Sequence, residues 1–152
     1  MKTLAQEQCR IELGRRLATL HPGSTARWGR MSVHQMICHL CDSSRLALGE
    51  RSVSPATGLL QRTLVKWIAL YAPLRWPPGL PTRPEVDQEC GGTSPVDFTA
   101  DVSELEALLA RIATPEDGRR WGAHPIFGRM SRSAWLRWAY LHTDHHLRQF
   151  GS

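Results

Sequence analysis

The sequence predicts an all-α fold, a four-helix bundle with one short accessory helix, formed as a single domain over residues 1–152. Apolar residues recur at intervals of three and four in several separate segments, which is the spacing of one helix face. No segment shows the sustained two-residue alternation that a half-buried strand requires. With 152 residues, of which 41% are hydrophobic, the chain is long enough to bury one core.

Two helices are predicted in the first third of the chain. Thr3 and Gln6 have the spacing of a capping box at the start of the first helix. The apolar stripe that follows comprises Cys9, Leu13, Leu17 and Leu20. A second capping box, Ser32 with Gln35, predicts a helix that runs to about Leu48.

The middle of the chain predicts a short amphipathic helix followed by a long loop. Within residues 58–72, the apolar side chains that share a broad face are Leu60, Leu64, Trp67, Ile68 and Tyr71. Prolines at positions 77, 78 and 81 interrupt regular structure, so residues 76 to about 98 are predicted to form a loop. Loops of this length in a compact domain are usually functional or cross one end of a bundle.

Two further helices complete the predicted bundle. Asp101 and Glu104 have the spacing of a third cap, an apolar stripe runs over residues 105–112, and Pro115 ends the segment. The last helix is predicted over residues 131–150. Together these segments give four main helices and one shorter helix.

The charge pattern argues against a nucleic-acid or membrane partner. The net charge is +5, but 17 of the 19 basic residues are dispersed arginines rather than a continuous stripe with lysines. Residues 118–152 hold six arginines against one acid, Asp144, which indicates a solvated face or a mild attraction for a small anion. No apolar run approaches the ~20 residues of a membrane span, and only Arg62 and Lys66 accompany the amphipathic face. We therefore expect a small-molecule partner.

The start of the chain and the cysteines point to the cytoplasm. Charged residues at positions 7, 10 and 12 interrupt the apolar stretch that a signal peptide needs. Four cysteines, Cys9, Cys38, Cys41 and Cys90, are too few and too unevenly spaced for a disulfide framework. Cys38 and Cys41 have the gap of a zinc knuckle, but no second pair follows, so packing inside a helix is the favoured interpretation.

The last predicted helix carries two histidines on its apolar face. At about 100° per residue, His142 and His146 share a face with Trp135 and Ala139, while Asp144 lies opposite. Histidines four residues apart on a helix can reach one metal ion. The alternative is that the rings are hydrogen-bonded across the core to glutamine or serine.

His39 of the second helix is a third inward-facing histidine, and a neighbouring helix can bring it to His142 and His146. His145 lies about 60° from His142 and is an alternative to His146. Three histidines leave coordination positions open for water or substrate, which is typical of catalytic centres. Imidazole suits several metals, so these ligands do not name the ion. The candidates for orienting the ligands through their second nitrogens are Gln35, Asp42 and Gln149.

Three sequence motifs carry a family resemblance: Trp-Gly-Arg-Met-Ser at 28–32, Gln-Met-Ile-Cys-His-Leu at 35–40 and His-Thr-Asp-His-His-Leu-Arg-Gln-Phe at 142–150. Together they resemble the DinB/YfiT-like metalloenzyme superfamily. Residues 124–128, together with Trp135 and the segment 76–84, are similar to a branch known only as a domain of unknown function. The resemblance covers nearly the whole chain and implies a long connection between the second and third main helices of the bundle.

The resemblance also implies a divalent metal, most often zinc or nickel, held by His39, His142 and His146. The better-understood members include thiol-dependent S-transferases and an isomerase that use low-molecular-weight thiols. The resulting hypothesis is a metalloenzyme that activates water or such a thiol for transfer to, or hydrolysis of, a small electrophilic substrate. The alternative is a non-catalytic binding module with structural histidines. A homodimer stays an open alternative.

The remaining candidates are one histidine and four aromatic residues. His124 follows a predicted break and precedes the last helix, where it is a candidate proton donor or fourth contact. The alternative for His124 is a loop histidine hydrogen-bonded to the backbone. The aromatic residues that are candidates for lining a substrate pocket are Trp28, Phe127, Trp135 and Trp138.

Overall fold

The computed structural model describes residues 1–56, 58–116 and 118–152, and over these residues the protein is helical without strands. Five helices are present: α1 Glu7–Leu17, α2 Val33–Ala47, α3 Lys66–Tyr71, α4 Phe98–Ala113 and α5 Arg132–Gln149. A π-helical turn, Gln61–Val65, leads into α3, and a 3-10 turn, Pro84–Val86, lies in the long connection before α4. The all-α prediction is confirmed.

The four longer helices share one hydrophobic core. Helix α2 packs against α4 and α5, and α1 packs against α5. The side chains that these helices bury completely include Leu13, Ile37, Leu105, Ile112 and Trp135. Burying a side chain of this size contributes about 1.5–3 kcal/mol, so the core holds α2 and α5 side by side. This pairing brings the inner faces of the two helices together.

The helix cap of α2 forms as predicted, whereas the cap of α1 does not. Ser32 and Gln35 form a reciprocal capping box, and the Ser131 side chain caps α5. At α1 the N-cap is Gln6, without a side-chain cap, and Thr3 lies outside the helix. The predicted start of α1 is therefore three residues too early.

Helix α4 begins before the predicted cap at Asp101. The N-cap is Asp97, whose side chain accepts a hydrogen bond from a backbone N–H of the first turn. Asp101 lies inside the first turn, and its carboxylate is bound to His34 of α2. Glu104 pairs with Arg45 of α2. Both predicted capping residues are used instead for contacts between helices.

The predicted amphipathic helix forms over residues 59–71, but most of its apolar face is not covered. Only Leu70 is buried, and the backbone carbonyl of Leu70 accepts a hydrogen bond from Arg137 of α5. The exposed apolar residues of this segment are Leu59, Leu60, Leu64, Val65, Trp67, Ile68 and Tyr71. Across the three described stretches, no helix combines the length and the hydropathy needed to pass through a bilayer.

Candidate metal centre

Three histidines from two helices converge at the junction of α2 and α5. Their candidate ligand atoms, one each from His39, His142 and His146, all lie within 4.8 Å of one another. The Nε2 atoms of His39 and His142 are 3.2 Å apart. Two nitrogens bound to one tetrahedral zinc at about 2.0–2.1 Å are separated by about 3.4 Å. The triad is thus positioned to hold a metal ion.

Helix periodicity explains this convergence. His142 and His146 are one turn apart on the face of α5 that meets α2, and His39 lies on the facing side of α2. The ring centroids of the triad are separated by 4.8 to 5.1 Å. The predicted alternative with His145 is not supported, because the group of converging atoms contains His146.

Two of the three rings are oriented by hydrogen bonds at their remote nitrogen. Nδ1 of His39 donates to the backbone carbonyl of Val86 over 2.7 Å, and Nδ1 of His146 donates to Oε1 of Gln149 over 2.8 Å. Since Nδ1 carries the proton in both rings, each Nε2 has a free lone pair. Gln149 is itself fixed, because its amide donates to the carbonyl of Trp28 over 2.8 Å.

The environment keeps these imidazoles neutral. Burial lowers the pKa of His39, and it lowers the pKa values of His142 and His146 well below the ordinary range. The neighbouring histidines lower the pKa values of His142 and His146 further, because two adjacent imidazolium charges would repel. Neutral imidazole is the form that binds metal ions.

Gln149 is the only predicted orienting residue that hydrogen-bonds a triad ring within the described residues. Gln35 accepts from the backbone N–H of Ser32, so its side chain completes the α2 cap. Asp42 is completely buried, with 0% exposure, and makes no hydrogen bond to a triad histidine in the described stretches. Its carboxylate accepts from Arg45, Arg51, Gln88 and Thr93.

Asp42 acts on the site through the long connection. Its carboxylate binds Arg51 over 2.8 Å, and the same guanidinium donates to the backbone carbonyl of Glu85 over 2.7 and 3.0 Å. Glu85 is followed directly by Val86, whose carbonyl is the acceptor for His39. The ion pair between buried Asp42 and partly exposed Arg51 therefore holds the loop at the position where it orients a triad ring.

A cavity of about 370 Å³ adjoins the triad. Its lining includes His39, His124, His142, His145 and His146, and its walls are otherwise mainly apolar. Arg75 and Arg83 line it as well, whereas none of the lining residues in the described stretches is acidic. Such a cavity suits a small substrate with an apolar body.

The aromatic candidates divide into two pairs. Phe127 and Trp138 line the cavity, and the Trp138 ring stacks on His142 with centroids 4.6 Å apart. Trp28 and Trp135 are not among the lining residues in the described part of the protein. Trp135 is a core residue with 0% exposure. Trp76 of the long connection lines the cavity, although sequence periodicity gave no signal for it.

His124 is held by the backbone of its own turn. Its Nδ1 accepts from the N–H groups of Ile126 and Phe127 over 3.2 and 3.1 Å, so the ring proton lies on Nε2. Burial lowers the pKa of His124 to about 3. At neutral pH the ring is therefore an uncharged N–H donor rather than an acid, and it is not part of the converging triad.

The cysteines lie apart from the triad. Cys38 and Cys41 are buried in α2, in agreement with the prediction that they pack inside a helix. Burial raises the pKa of each thiol to about 12. Cys9 is also buried, and Cys90 is exposed. No group of converging ligand atoms in the described residues combines both cysteines of the predicted knuckle.

The fold and the site together define an all-helical domain with a candidate three-histidine metal centre beside an apolar cavity. Residues 11–152 match the family model described as Protein of unknown function (DUF1569), and the chain belongs to that family. Neither the curated proteins nor the solved structures contain a match to the chain. The membership agrees with the predicted domain of unknown function.

Proposed function

We propose that the protein is a metal-dependent enzyme of the DinB-like type, built as a four-helix bundle around a zinc or nickel site. The observation that best supports this proposal is the convergence of three neutral imidazoles beside a cavity that is large enough for a small molecule. Helices α1, α2, α4 and α5 would supply the bundle, and the long connection contacts α2 where the Val86 carbonyl binds His39. The DUF1569 membership is compatible with this proposal.

The donor set fits a divalent ion. Three imidazoles with two proton-bearing remote nitrogens match the ligand pattern of catalytic zinc, which leaves a position for water or substrate. When bound, the ion would supply Lewis acidity and would activate water, or a low-molecular-weight thiol, near neutral pH. Within the described residues no acidic side chain lines the cavity, so no carboxylate is available there to act as a general base.

The protein's own residues would position the substrate. Trp138 packs on His142 and restricts the ring, while Phe127 and Trp76 present apolar walls to the body of the substrate. His124 lines the same cavity, and the Nε2–H of its neutral ring is its remaining hydrogen-bond donor. A fixed donor of this kind stabilises an oxygen on which negative charge develops. The substrate class is thus a small, largely apolar electrophile.

A second candidate function is a binding module with structural histidines. Its supporting observation is that the 3.2 Å contact between His39 and His142 also satisfies hydrogen-bond geometry. In this case chelators would leave the melting temperature unchanged, since no ion would stabilise the folded state. A small-molecule ligand is common to both candidates, and the homodimer and the cytoplasmic location stay predictions.

Elemental analysis of protein purified without a polyhistidine tag tests the proposal. We expect about one zinc or nickel ion per chain, lost in His146→Ala. His145→Ala is the matched control, because His145 is adjacent, buried and lines the same cavity, but lies outside the triad. Metal-free wild-type protein, or a His146→Ala variant with full occupancy, would contradict the proposal. Loaded protein would then be screened with electrophiles, with water or with biological thiols as nucleophile.

A further inference from the structure

A second group of converging ligand atoms lies on the other side of α2. One ring nitrogen of His34, Sγ of Cys38 and a carboxylate oxygen of Asp101 all lie within 4.8 Å of one another. His34 and Cys38 are one turn apart on α2, the spacing at which two side chains reach one ion. Asp101 comes from the first turn of α4, so the group bridges two packed helices.

From this geometry we propose a second metal site, formed by His34, Cys38 and Asp101, for a thiolate-binding divalent ion such as zinc. Imidazole, thiolate and carboxylate are all zinc ligands, and three of them leave a fourth position for water. The site shares no residue with the triad. It is independent of the proposed function.

The distances between the three ligand atoms require only a small adjustment to fit a tetrahedral zinc ion. Sγ of Cys38 is 3.5 Å from Oδ2 of Asp101, close to the about 3.6 Å expected for two ligands of one tetrahedral zinc. Nε2 of His34 is 2.6 Å from the same oxygen, which is a hydrogen bond that must open to admit an ion. The side chains of His34 and Asp101 are 22% and 21% exposed, so this hydrogen bond is accessible from the surface.

The neighbouring residues support a formed site. The Phe98 and His34 rings pack nearly perpendicular to each other, with centroids 5.4 Å apart, and this contact helps to orient the imidazole. Cys41 is directed to the backbone carbonyl of Asp101 and is therefore not a fourth ligand. On binding, the ion would replace the Cys38 thiol proton and the Nε2 proton that His34 donates to Asp101. The thiol proton would pass to solvent, and the neutral imidazole would carry its proton on Nδ1 instead.

Cobalt(II) titration of tag-free, metal-free wild-type protein tests this site. A thiolate bound to cobalt gives a near-ultraviolet charge-transfer band, which a site made only of histidines does not give. We expect the band to saturate at one ion per chain and to be displaced by zinc. It should disappear in Cys38→Ser and also in His34→Gln, a change at a partly exposed side chain.

Two further cysteine variants act as matched controls. Cys90→Ser removes the exposed thiol and Cys9→Ser removes a buried thiol of α1, and both should retain the band. The His146→Ala variant should retain it as well, since only the triad is changed. Absence of the band from wild type, its persistence in Cys38→Ser, or its loss in Cys90→Ser would overturn the second site. None of these outcomes bears on metal bound by the triad.

Discussion

Nδ1 of His146 donates a hydrogen bond to Oε1 of Gln149 over 2.8 Å, one turn further along α5. The same amide donates to the Trp28 carbonyl, so a segment before α2 is connected to a triad ring. Orientation of the triad therefore depends on residues that do not face the cavity.

Gln149→Ala should weaken metal binding about 10–100-fold, because His146 would lose the acceptor that fixes its tautomer and ring plane. Competition with a chromophoric chelator measures the change. Gln35→Ala is the control, since it removes the same side chain type from the α2 cap and should cost about 1 kcal/mol of stability without affecting metal affinity. Equal metal affinities for Gln149→Ala and wild type would contradict the role of this hydrogen bond.

Asp42→Asn should destabilise the protein by about 3 kcal/mol, because Arg51 would be left without its buried countercharge. Metal affinity should fall too, since the Val86 carbonyl would no longer be held against His39. Urea unfolding and metal competition measure the two effects. Asp144→Asn, a change at a partly exposed ion pair with Arg16, should cost less and leave metal affinity unchanged.

The stability of the metal-free protein should fall as the pH is lowered below about 6.5. Burial lowers the pKa of His124 to about 3, whereas the unfolded chain takes up this proton near the ordinary histidine pKa of 6.5. Between these two values the unfolded state binds the extra proton, so His124 contributes a loss of up to about 1.4 kcal/mol per pH unit. Denaturant unfolding between pH 7 and pH 4 measures the slope.

In the His124→Asn variant, the part of the pH dependence of stability that His124 contributes should disappear. The asparagine oxygen can still accept from the backbone N–H groups of Ile126 and Phe127, so the turn is kept. A variant slope equal to that of wild type would show that His124 takes up its proton in the folded state.

Gly122→Ala should destabilise the protein by more than about 2 kcal/mol. A Cβ at Gly122 would lie 2.0 Å from the carbonyl oxygen of Leu46, and the Gly122 N–H is hydrogen-bonded to the neighbouring carbonyl of Ala47. Gly14→Ala in α1 meets nothing within 4 Å and should instead stabilise by about 0.5–1 kcal/mol. Thermal unfolding compares the two, and opposite signs are expected for the same chemical change.

Local periodicity made the helices and the triad predictable. His39, His142 and His146 each lie on an apolar stripe, and a stripe identifies the face that a helix buries. Periodicity does not show whether another part of the protein covers an apolar face. The apolar side of α3 is in fact exposed. Asp101 was assigned to a cap because spacing alone does not show that His34 competes for its carboxylate.

The partners of the site were less predictable because they depend on contacts distant in sequence. Val86 lies 47 residues from His39 and contributes a backbone carbonyl, which no side-chain pattern signals. Asp42 was expected to touch a ligand ring, yet its partners Arg51 and Thr93 lie in loops. Trp76 lies in the same aperiodic connection.

The use of a main-chain oxygen as the partner of His39 has a consequence for variation among related chains. Any amino acid at position 86 offers this oxygen, so the contact tolerates changes of side chain that keep the turn packed. A change in the number of residues between α3 and α4 would instead displace the carbonyl. Relatives that retain the three-histidine centre should therefore differ freely in the amino-acid sequence of this connection but little in its length.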